Sequence, residues 1–234
     1  MTYFTSDIHG EYYLFCELLK AIGFSERDEM YICGDIIDKG KHSVRLAKLI
    51  FSMPNIHVIK GNHEYYFLMY YDSLMKTATD DYEEVLNKLR GYFPEEDGKL
   101  LDWETVDRLE ALPDYVEKDD FICVHAGIPI DDDGKLLPLE SVFIGSLLND
   151  RHFKDADFVH TSPKCVFFGH TTTDCVCDEN RILAYTRQKH YDRKLSINDF
   201  YKIHLDTGAN INGVLGCFCM ETLKAIYVKK RVSR

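Results

Sequence analysis

The chain has 234 residues, 45% of them hydrophobic and 13% aromatic, and this composition favours one domain, 1–234, with its own core. The formal net charge of −11 argues against nucleic acid as a partner, because binding to a phosphate backbone needs a basic surface. No apolar run approaches the ~20 residues that span a membrane, so we expect a cytoplasmic protein whose eight cysteines remain reduced.

The first third of the chain alternates predicted strands and helices. Leu14, Leu18 and Ile22 recur at helical spacing after a short apolar run. The predicted elements are a strand at 3–6, a helix at 11–22, a strand at 30–33, a helix at 43–51 and a strand at 56–59. This order indicates an α/β layer with a mostly parallel sheet.

Residues 65–112 are predicted to form a helical excursion from the core, and this excursion is expected to provide one wall of a site. The clearest helices in it are 83–89 and 103–112, with a polar loop at 94–98 between them. The aromatic run at 65–71 is typical of a helix packed against a sheet.

The second half of the chain is rich in predicted strands and has one predicted helix, at 139–148. The strands are expected at 121–124, 166–168, 182–185, 203–205, 214–220 and 225–228. This pattern indicates a second sheet packed on the first, and no linker is long enough to separate domains.

Five short polar clusters stand where apolar, strand-like runs end. They are Asp7-Ile8-His9, Gly34-Asp35-Ile36-Ile37-Asp38, Gly61-Asn62-His63-Glu64, His125-Ala126-Gly127 and Gly169-His170. One such cluster is ordinary turn chemistry. Five that supply Asp, Asn and His indicate a pair of divalent ions acting on a phosphate ester, because such a pair activates water and neutralises developing charge.

The predicted metal ligands each follow a strand. They are Asp7 and His9 for one ion, Asp35 as the bridge, and Asn62, His125 and His170 for the second ion. Oxygen ligands mixed with imidazole favour manganese, with iron or zinc as alternatives.

Four further residues have predicted roles beside the metals. His63 is the candidate general acid toward the leaving oxygen, and Asp38 is expected to hold its imidazole in one tautomer. Lys39 and Arg151, together with Asn62, are the candidate phosphate-binding residues.

These motifs resemble the metallophosphoesterase superfamily, most closely its phosphoprotein phosphatase branch. The matching segments are Asp7-Ile8-His9-Gly10, Gly34 to Gly40, Gly61 to Glu64, His125-Ala126-Gly127, Gly169-His170-Thr171 and Leu205-Asp206-Thr207-Gly208. The resemblance implies a four-layer α/β/β/α sandwich with metals at the strand ends. It also implies the same ligand and acid roles. In size and in the His-Ala-Gly form the chain looks most similar to compact bacterial protein phosphatases and symmetrical dinucleoside tetraphosphate hydrolases.

Two positions depart from the family pattern. Lys39 stands where the family has a phosphate-binding Arg, and a lysine lacks the planar fork that binds phosphate with two parallel hydrogen bonds. The family's Trp-x-Arg segment is matched only loosely by Leu147-Leu148-Asn149-Asp150-Arg151.

Three functional hypotheses follow. The first is a serine/threonine protein phosphatase that uses a metal-bridging hydroxide as nucleophile. The second is a symmetrical bis(5'-nucleosyl)-tetraphosphatase or a hydrolase of another small phosphate ester, and the third is a catalytically silent binding module. The presence of all six ligands and of His63 argues against the third. The expected partner is therefore a phosphorylated protein or a small phosphate ester.

Several other polar groups have structural interpretations. The pairs Cys175 with Cys177 and Cys217 with Cys219 have the wrong spacing for a zinc knuckle and are predicted to be small core residues on strands. The histidines outside the motifs are expected to be surface or satisfied residues: His152, His160, His190 and His204. Asp131-Asp132-Asp133-Gly134 is interpreted as a solvated turn.

Overall fold

Two five-stranded mixed sheets form the framework of the chain in the computed structural model, which describes residues 1–76, 84, 102–187 and 193–230. The strands in chain order are β1 (Thr2–Thr5), β2 (Glu29–Ile32), β3 (Ile56–Val58), β4 (Tyr115–Glu117), β5 (Phe121–Val124), β6 (Cys165–Phe168), β7 (Leu183–Thr186), β8 (Phe200–His204), β9 (Val214–Cys219) and β10 (Lys224–Lys229). The first sheet has the order β10-β9-β1-β2-β3, and the second has the order β4-β5-β6-β8-β7.

Six α-helices lie within the described residues. They are α1 (Tyr12–Ile22), α2 (Ser43–Phe51), α3 (Asn62–Lys76), α4 (Trp103–Glu110), α5 (Ile144–Asn149) and α6 (Asp174–Cys177). Helix α1 buries Leu14, Phe15 and Leu18 and ends at Gly23, whose φ of 64° lets its N–H bond the carbonyl of Lys20. Glycine reaches this left-handed conformation without steric cost. The βαβαβ order predicted for the first third is confirmed.

Three layers of apolar side chains hold the elements together. Helices α1 and α2 cover one face of the first sheet, with Phe15 and Leu46 fully buried. The two sheets pack face to face around Phe4, whose ring meets that of Phe121 edge-on at 4.9 Å. The outer face of the second sheet is covered by α5 and nearby loops around Phe153. The α/β sandwich expected from the family resemblance is therefore present.

The predicted elements of the second half were wrong in two details. The helix predicted at 139–148 is a short 3₁₀ turn (Leu139–Ser141) followed by α5, because Val142 and Phe143 are extended, with ψ of 132° and 128°. Strand β4 was not predicted. It is three residues long and only half-buried, which leaves little apolar alternation to detect.

The two cysteine pairs lie in different environments, one on a buried strand and the other on a helical turn. Cys217 and Cys219 are buried on β9, as predicted. The prediction for Cys175 and Cys177 was wrong: they lie on the single turn of α6, where Cys175 is exposed. A loop between two strands can form one helical turn without any periodic apolar signal.

The helical excursion is described only in part. Helices α3 and α4 match the expectation at its two ends. The predicted loop at 94–98 and the predicted helix at 83–89, apart from Glu84, lie outside the described residues. Among the helices that are described, none combines the length and the apolar character needed to cross a membrane.

Candidate metal centre

The polar clusters meet at one edge of the two sheets. In the first sheet β1, β2 and β3 run parallel, and in the second sheet β5, β6 and β8 do so. The residues that follow these strands touch across the sandwich, since the backbone N–H of His170 donates to Oδ2 of Asp7 at 3.0 Å. The carboxyl ends of parallel strands are the usual place for a binding site in α/β folds.

Asp35 lies at the centre of the cluster. Its Oδ2 atom is 3.5 Å from Nε2 of His9 on one side and 3.5 Å from Nε2 of His125 on the other. Ligand atoms of Asp7, Asp35 and His125 lie within 4.8 Å of one another, and so do those of His9, Asp35 and His63. Asp35 thus belongs to both potential ligand groups, which is the position that a bridging carboxylate needs.

Hydrogen bonds to backbone carbonyls fix the orientation of two imidazoles. Nδ1 of His9 donates to the carbonyl of Ile37 at 3.1 Å, and Nδ1 of His125 donates to the carbonyl of Cys33 at 2.8 Å. Each bond leaves Nε2 facing the cluster as a lone-pair donor. Such outer hydrogen bonds fix the tautomer of metal-binding histidines.

Three candidate ligand atoms converge beside His125. Its Nε2 faces Oδ1 of Asn62 at 2.8 Å and Nδ1 of His170 at 3.2 Å, and that Nδ1 lies 3.0 Å from the same Asn62 oxygen. A cation placed among these atoms could be bound by all three, with Nδ1 of His170 deprotonated.

The charges of the buried groups also favour a cation. Burial lowers the pKa of His9 and of His170 to about 3, so both rings are neutral near pH 7, the form that binds metals. Burial raises the pKa of Asp35 well above its ordinary value, and the carboxylates of Glu64 and Asp7 raise it further. Divalent cations would compensate this buried negative charge, so the residues present fit a metal centre.

The backbone at the centre is strained. Eight described non-glycine residues have positive φ, and six of them belong to the predicted site: Asp7, His9, Asp35, Asp38, Lys39 and His170. Such conformations cost about 1–3 kcal/mol each and concentrate at functional sites.

Two glycines make room for the carboxylates. A Cβ atom on Gly61 would lie 2.1 Å from Oδ1 of Asp35, and one on Gly169 would lie 2.0 Å from Oδ2 of Asp7. Any side chain at either position would displace a predicted ligand.

His63 and Asp38 form a pair beside the centre. Nδ1 of His63 is 2.7 Å from Oδ2 of Asp38, and its Nε2 is 3.8 Å from Oδ2 of Asp35. Burial opposes protonation of His63, but the hydrogen bond that its Nδ1 donates to Asp38 and the charge of Asp35 outweigh it and raise the pKa of the imidazole. A raised pKa suits a group that has to carry a proton to a leaving oxygen.

Lys39 and Arg151, two of the three candidate phosphate-binding residues, contact different residues beside the cluster. Nζ of Lys39 lies 2.9 Å from Nε2 of His9. Arg151 is exposed, and its Nη1 lies 3.5 Å from Oγ1 of Thr171. Its charge contributes, after burial and His125, to the lowered pKa of His170. Both cations therefore border the cluster without belonging to the predicted ligand set.

Glu64 has a structural role that the sequence interpretation missed. It is fully buried, and its carboxylate accepts hydrogen bonds from the backbone N–H groups of Asp35 (2.8 Å), Ile36 (2.9 Å), Ile37 (3.1 Å) and Gly61 (2.9 Å). It therefore shapes the loop that carries Asp35. Its place in the Gly-Asn-His-Glu cluster was the available signal.

Asp206 was assigned to a motif but given no role. It is buried, and burial together with the charge of Asp7 raises its pKa well above the ordinary value. Its Oδ1 accepts from the backbone N–H of Gly208 at 2.9 Å. Asp206 is therefore a second buried carboxyl group close to Asp7, and the two cannot both carry a charge without cost.

The remaining polar residues lie away from the cluster. His160 and His204 are buried, and their Nε2 atoms bond the carbonyls of Tyr201 and Thr171. His152 is exposed, and His190 lies outside the described residues. The predicted turn at 131–134 is confirmed, with Oδ1 of Asp131 accepting from the backbone N–H of Asp133 and of Lys135.

Comparison with known proteins places the chain among phosphoesterases. A model described as "Calcineurin-like phosphoesterase" matches residues 2–195. A curated relative from Wigglesworthia glossinidia brevipalpis, named symmetrical bis(5'-nucleosyl)-tetraphosphatase, is 34% identical over 130 residues, which are 54% of this chain and 44% of the relative. The chain thus matches less than half the length of that relative.

Solved structures share the fold. One described as a candidate diadenosine tetraphosphatase has a TM-score of 0.67 at 16% identity and covers 99% of this chain and 94% of its own. A protein serine/threonine phosphatase from Saccharomyces cerevisiae has a TM-score of 0.54 at 14% identity, with 100% of this chain and 80% of that chain covered.

Proposed function

The chain belongs to the calcineurin-like phosphoesterase family, and we propose that it is a metal-dependent phosphoester hydrolase. The position of Asp35 between Nε2 of His9 and Nε2 of His125 carries this proposal. One carboxylate within reach of two inward-facing imidazoles is what a pair of ions requires.

The proposed ligands are the six residues predicted from the sequence: Asp7, His9, Asp35, Asn62, His125 and His170. Divalent ions held there would activate water and neutralise the charge that develops on phosphorus. The mixed oxygen and nitrogen donors favour manganese, with iron and zinc as the alternatives.

Residues of the chain supply the proton and bind the phosphate in this proposal. His63, held by Asp38, gives its proton from Nε2 to the leaving oxygen. Lys39 and Arg151, with the amide of Asn62, hold the outer oxygens of the phosphate. Both sheets contribute to the centre, so we propose that 1–234 acts as one domain. The eight cysteines are free thiols, in keeping with a proposed cytoplasmic location.

The leading candidate substrate is a dinucleoside polyphosphate. The curated relative at 34% identity, named symmetrical bis(5'-nucleosyl)-tetraphosphatase, supports this choice, although it matches only part of its length. A phosphorylated serine or threonine in a protein is the second candidate, favoured by the shared fold with a serine/threonine phosphatase.

Two assays test the proposal. Phosphate release from p-nitrophenyl phosphate with and without manganese tests the chemistry, and no metal-dependent release would refute it. Diadenosine tetraphosphate and a phosphoserine/phosphothreonine peptide are then compared under the same conditions. Faster formation of ADP from the dinucleotide is the expected result, and faster peptide dephosphorylation would reverse the order of the two candidates.

A further inference from the structure

A cleft with a volume of about 490 Å³ opens beside the metal centre. It lies between the start of α1, the loop at 38–42 and the end of β10. We name it the lysine cleft after Lys39, Lys41, Lys229 and Lys230, which line it together with Tyr13 and Glu11. Its volume lies within the range of roughly 300–1,000 Å³ that is usual for small-molecule sites.

The lysine cleft and the metal centre share a wall. Lys39 lines the cleft, while its Nζ lies 2.9 Å from Nε2 of His9. The loop behind it packs tightly on the centre, since a Cβ atom on Gly40 would lie 2.0 Å from the carbonyl oxygen of His9. A substrate whose scissile phosphate meets Lys39 would therefore extend into the cleft.

The charge of the lysine cleft is opposite to that of the chain. Four lysines surround it in a protein of net charge −11. Two glutamates, Glu11 and Glu17, also line it, so four lysines against two carboxylates leave the lining net positive. Glu11 accepts from Nζ of Lys230 at 2.7 Å and from Nδ2 of Asn210 at 2.9 Å. Lys39, Lys41 and Lys229 are exposed. Clustered positive charge of this kind attracts an anion.

An aromatic ring stands in the same cleft. Tyr13 is 58% exposed although it belongs to α1. Its ring meets His42 edge-on at 5.0 Å, and its hydroxyl accepts from Nη1 of Arg45 at 3.3 Å, so the ring is held in place. A held, exposed ring offers a face on which a planar base can stack.

We propose that the lysine cleft binds the distal part of a nucleoside polyphosphate substrate. The lysines contact phosphates beyond the scissile one, and Tyr13 stacks on the distal base. This inference rests on the proposed function, which supplies the substrate, whereas the contacts of the lysines and of Tyr13 with the distal phosphates and base do not require bound metal.

The first test compares two substrates in the double variant Lys41→Glu/Lys229→Glu and in Tyr13→Ala. We expect the KM for diadenosine tetraphosphate to rise about tenfold in the double variant, because two attractive charges become repulsive. The KM for p-nitrophenyl phosphate, which has no part that reaches the cleft, is expected to change less than twofold. The matched control Lys118→Glu/Lys224→Glu makes the same charge change elsewhere and should leave both KM values unchanged.

The second test measures binding without turnover. Titration calorimetry of adenosine 5'-tetraphosphate in EDTA should show about tenfold weaker binding to the double variant than to the wild type or the control. Equal binding to all three proteins would overturn the cleft assignment. A larger rise in KM for an acidic phosphopeptide than for diadenosine tetraphosphate in the double variant would also overturn the cleft assignment.

The two tests separate this inference from the proposed function. Wild-type protein that binds adenosine 5'-tetraphosphate through the cleft yet hydrolyses no phosphate ester would refute the proposed function and support the cleft. Metal-dependent hydrolysis by the wild type, together with unchanged nucleotide binding in the double variant, would support the proposed function and refute the cleft assignment.

Discussion

Nδ1 of His63 lies 2.7 Å from Oδ2 of Asp38, and this contact directs the opposite nitrogen of the imidazole toward Asp35. The ring is therefore held by a carboxylate on one side and faces the proposed phosphate position with the other. This relationship makes the proposed acid role testable in two ways.

Substitution of His63→Ala should separate metal binding from proton transfer. We expect the variant to retain bound metal but to lose about 10²–10⁴-fold in turnover of a substrate with a poor leaving group, the usual contribution of a general acid. An activated aryl phosphate needs less protonation of its leaving oxygen and should lose less. Steady-state rates on both substrates, with metal content measured by mass spectrometry, provide the check. Equal losses on the two substrates would contradict the acid role.

Substitution of Asp38→Asn should move the alkaline limb of the pH–rate profile to lower pH. The hydrogen bond that His63 donates to the Asp38 carboxylate raises the pKa of His63, so loss of that carboxylate lowers the pKa. The protonated acid then disappears at a lower pH as the pH is increased. Profiles of kcat from pH 5 to pH 10 on a substrate with a poor leaving group would show the displacement. An unmoved limb would mean that another group supplies the proton.

Substitution of Glu64→Gln should destabilise the fold even without metal. Glu64 is buried and accepts four backbone N–H groups, and an amide replaces one accepting oxygen with a donor that opposes them. We expect the free energy of unfolding to fall by about 2–4 kcal/mol. Urea unfolding in EDTA measures this directly.

A matched control is available on α4. Glu104 is exposed and pairs with Arg108, so Glu104→Gln should change the free energy of unfolding by less than about 0.5 kcal/mol. If the two variants were equally stable, the carboxylate of Glu64 would have no special role in shaping the loop.

Substitution of Lys39→Arg should preserve or improve phosphate binding. A guanidinium binds two phosphate oxygens with parallel hydrogen bonds, whereas an ammonium acts as a point charge. Competitive inhibition by inorganic phosphate gives the affinity, and Lys39→Ala, which should weaken binding, is the comparison. Loss of activity in the arginine variant would show that Lys39 serves another purpose, such as its contact with His9.

Substitution of Lys202→Met should loosen the segment that follows Arg151. Lys202 is fully buried, and its Nζ donates to the carbonyls of Phe153 (2.6 Å), Asp155 (2.6 Å) and Phe158 (2.9 Å). Burial lowers its pKa to about 8, so the amine is still protonated at pH 7.

Methionine keeps an unbranched apolar side chain, one atom shorter than lysine, but leaves three carbonyls without their donor. We expect the free energy of unfolding to fall by about 2–4 kcal/mol, and the KM for phosphate esters to rise because Arg151 loses its support. The exposed residue Lys224 provides the control, since Lys224→Met should alter neither quantity. A stable Lys202→Met variant with unchanged KM would show that the segment is held by apolar packing alone.

Local pattern was enough to predict most of the fold. The βαβαβ order of the first third and the strands from Phe121 onward follow from periodicity that a single segment carries. The prediction was wrong where no such signal exists, as in the break at Val142 and Phe143 and the helical turn at Cys175, because a single turn or a short extended stretch produces no period.

The sequence by itself determined which residues could supply the chemistry, since the types of ligand and their places after apolar runs are local properties. Only the tertiary structure decided how they meet. Asp7 reaches the backbone of His170 across 163 positions of chain, Glu64 binds the loop of Asp35, and six site residues adopt positive φ. These contacts join segments from two different sheets, and the strained conformations persist only because packing of those sheets outweighs their local cost. The lysine cleft has the same origin, because its cations come from the two ends of the chain and only the fold brings them together.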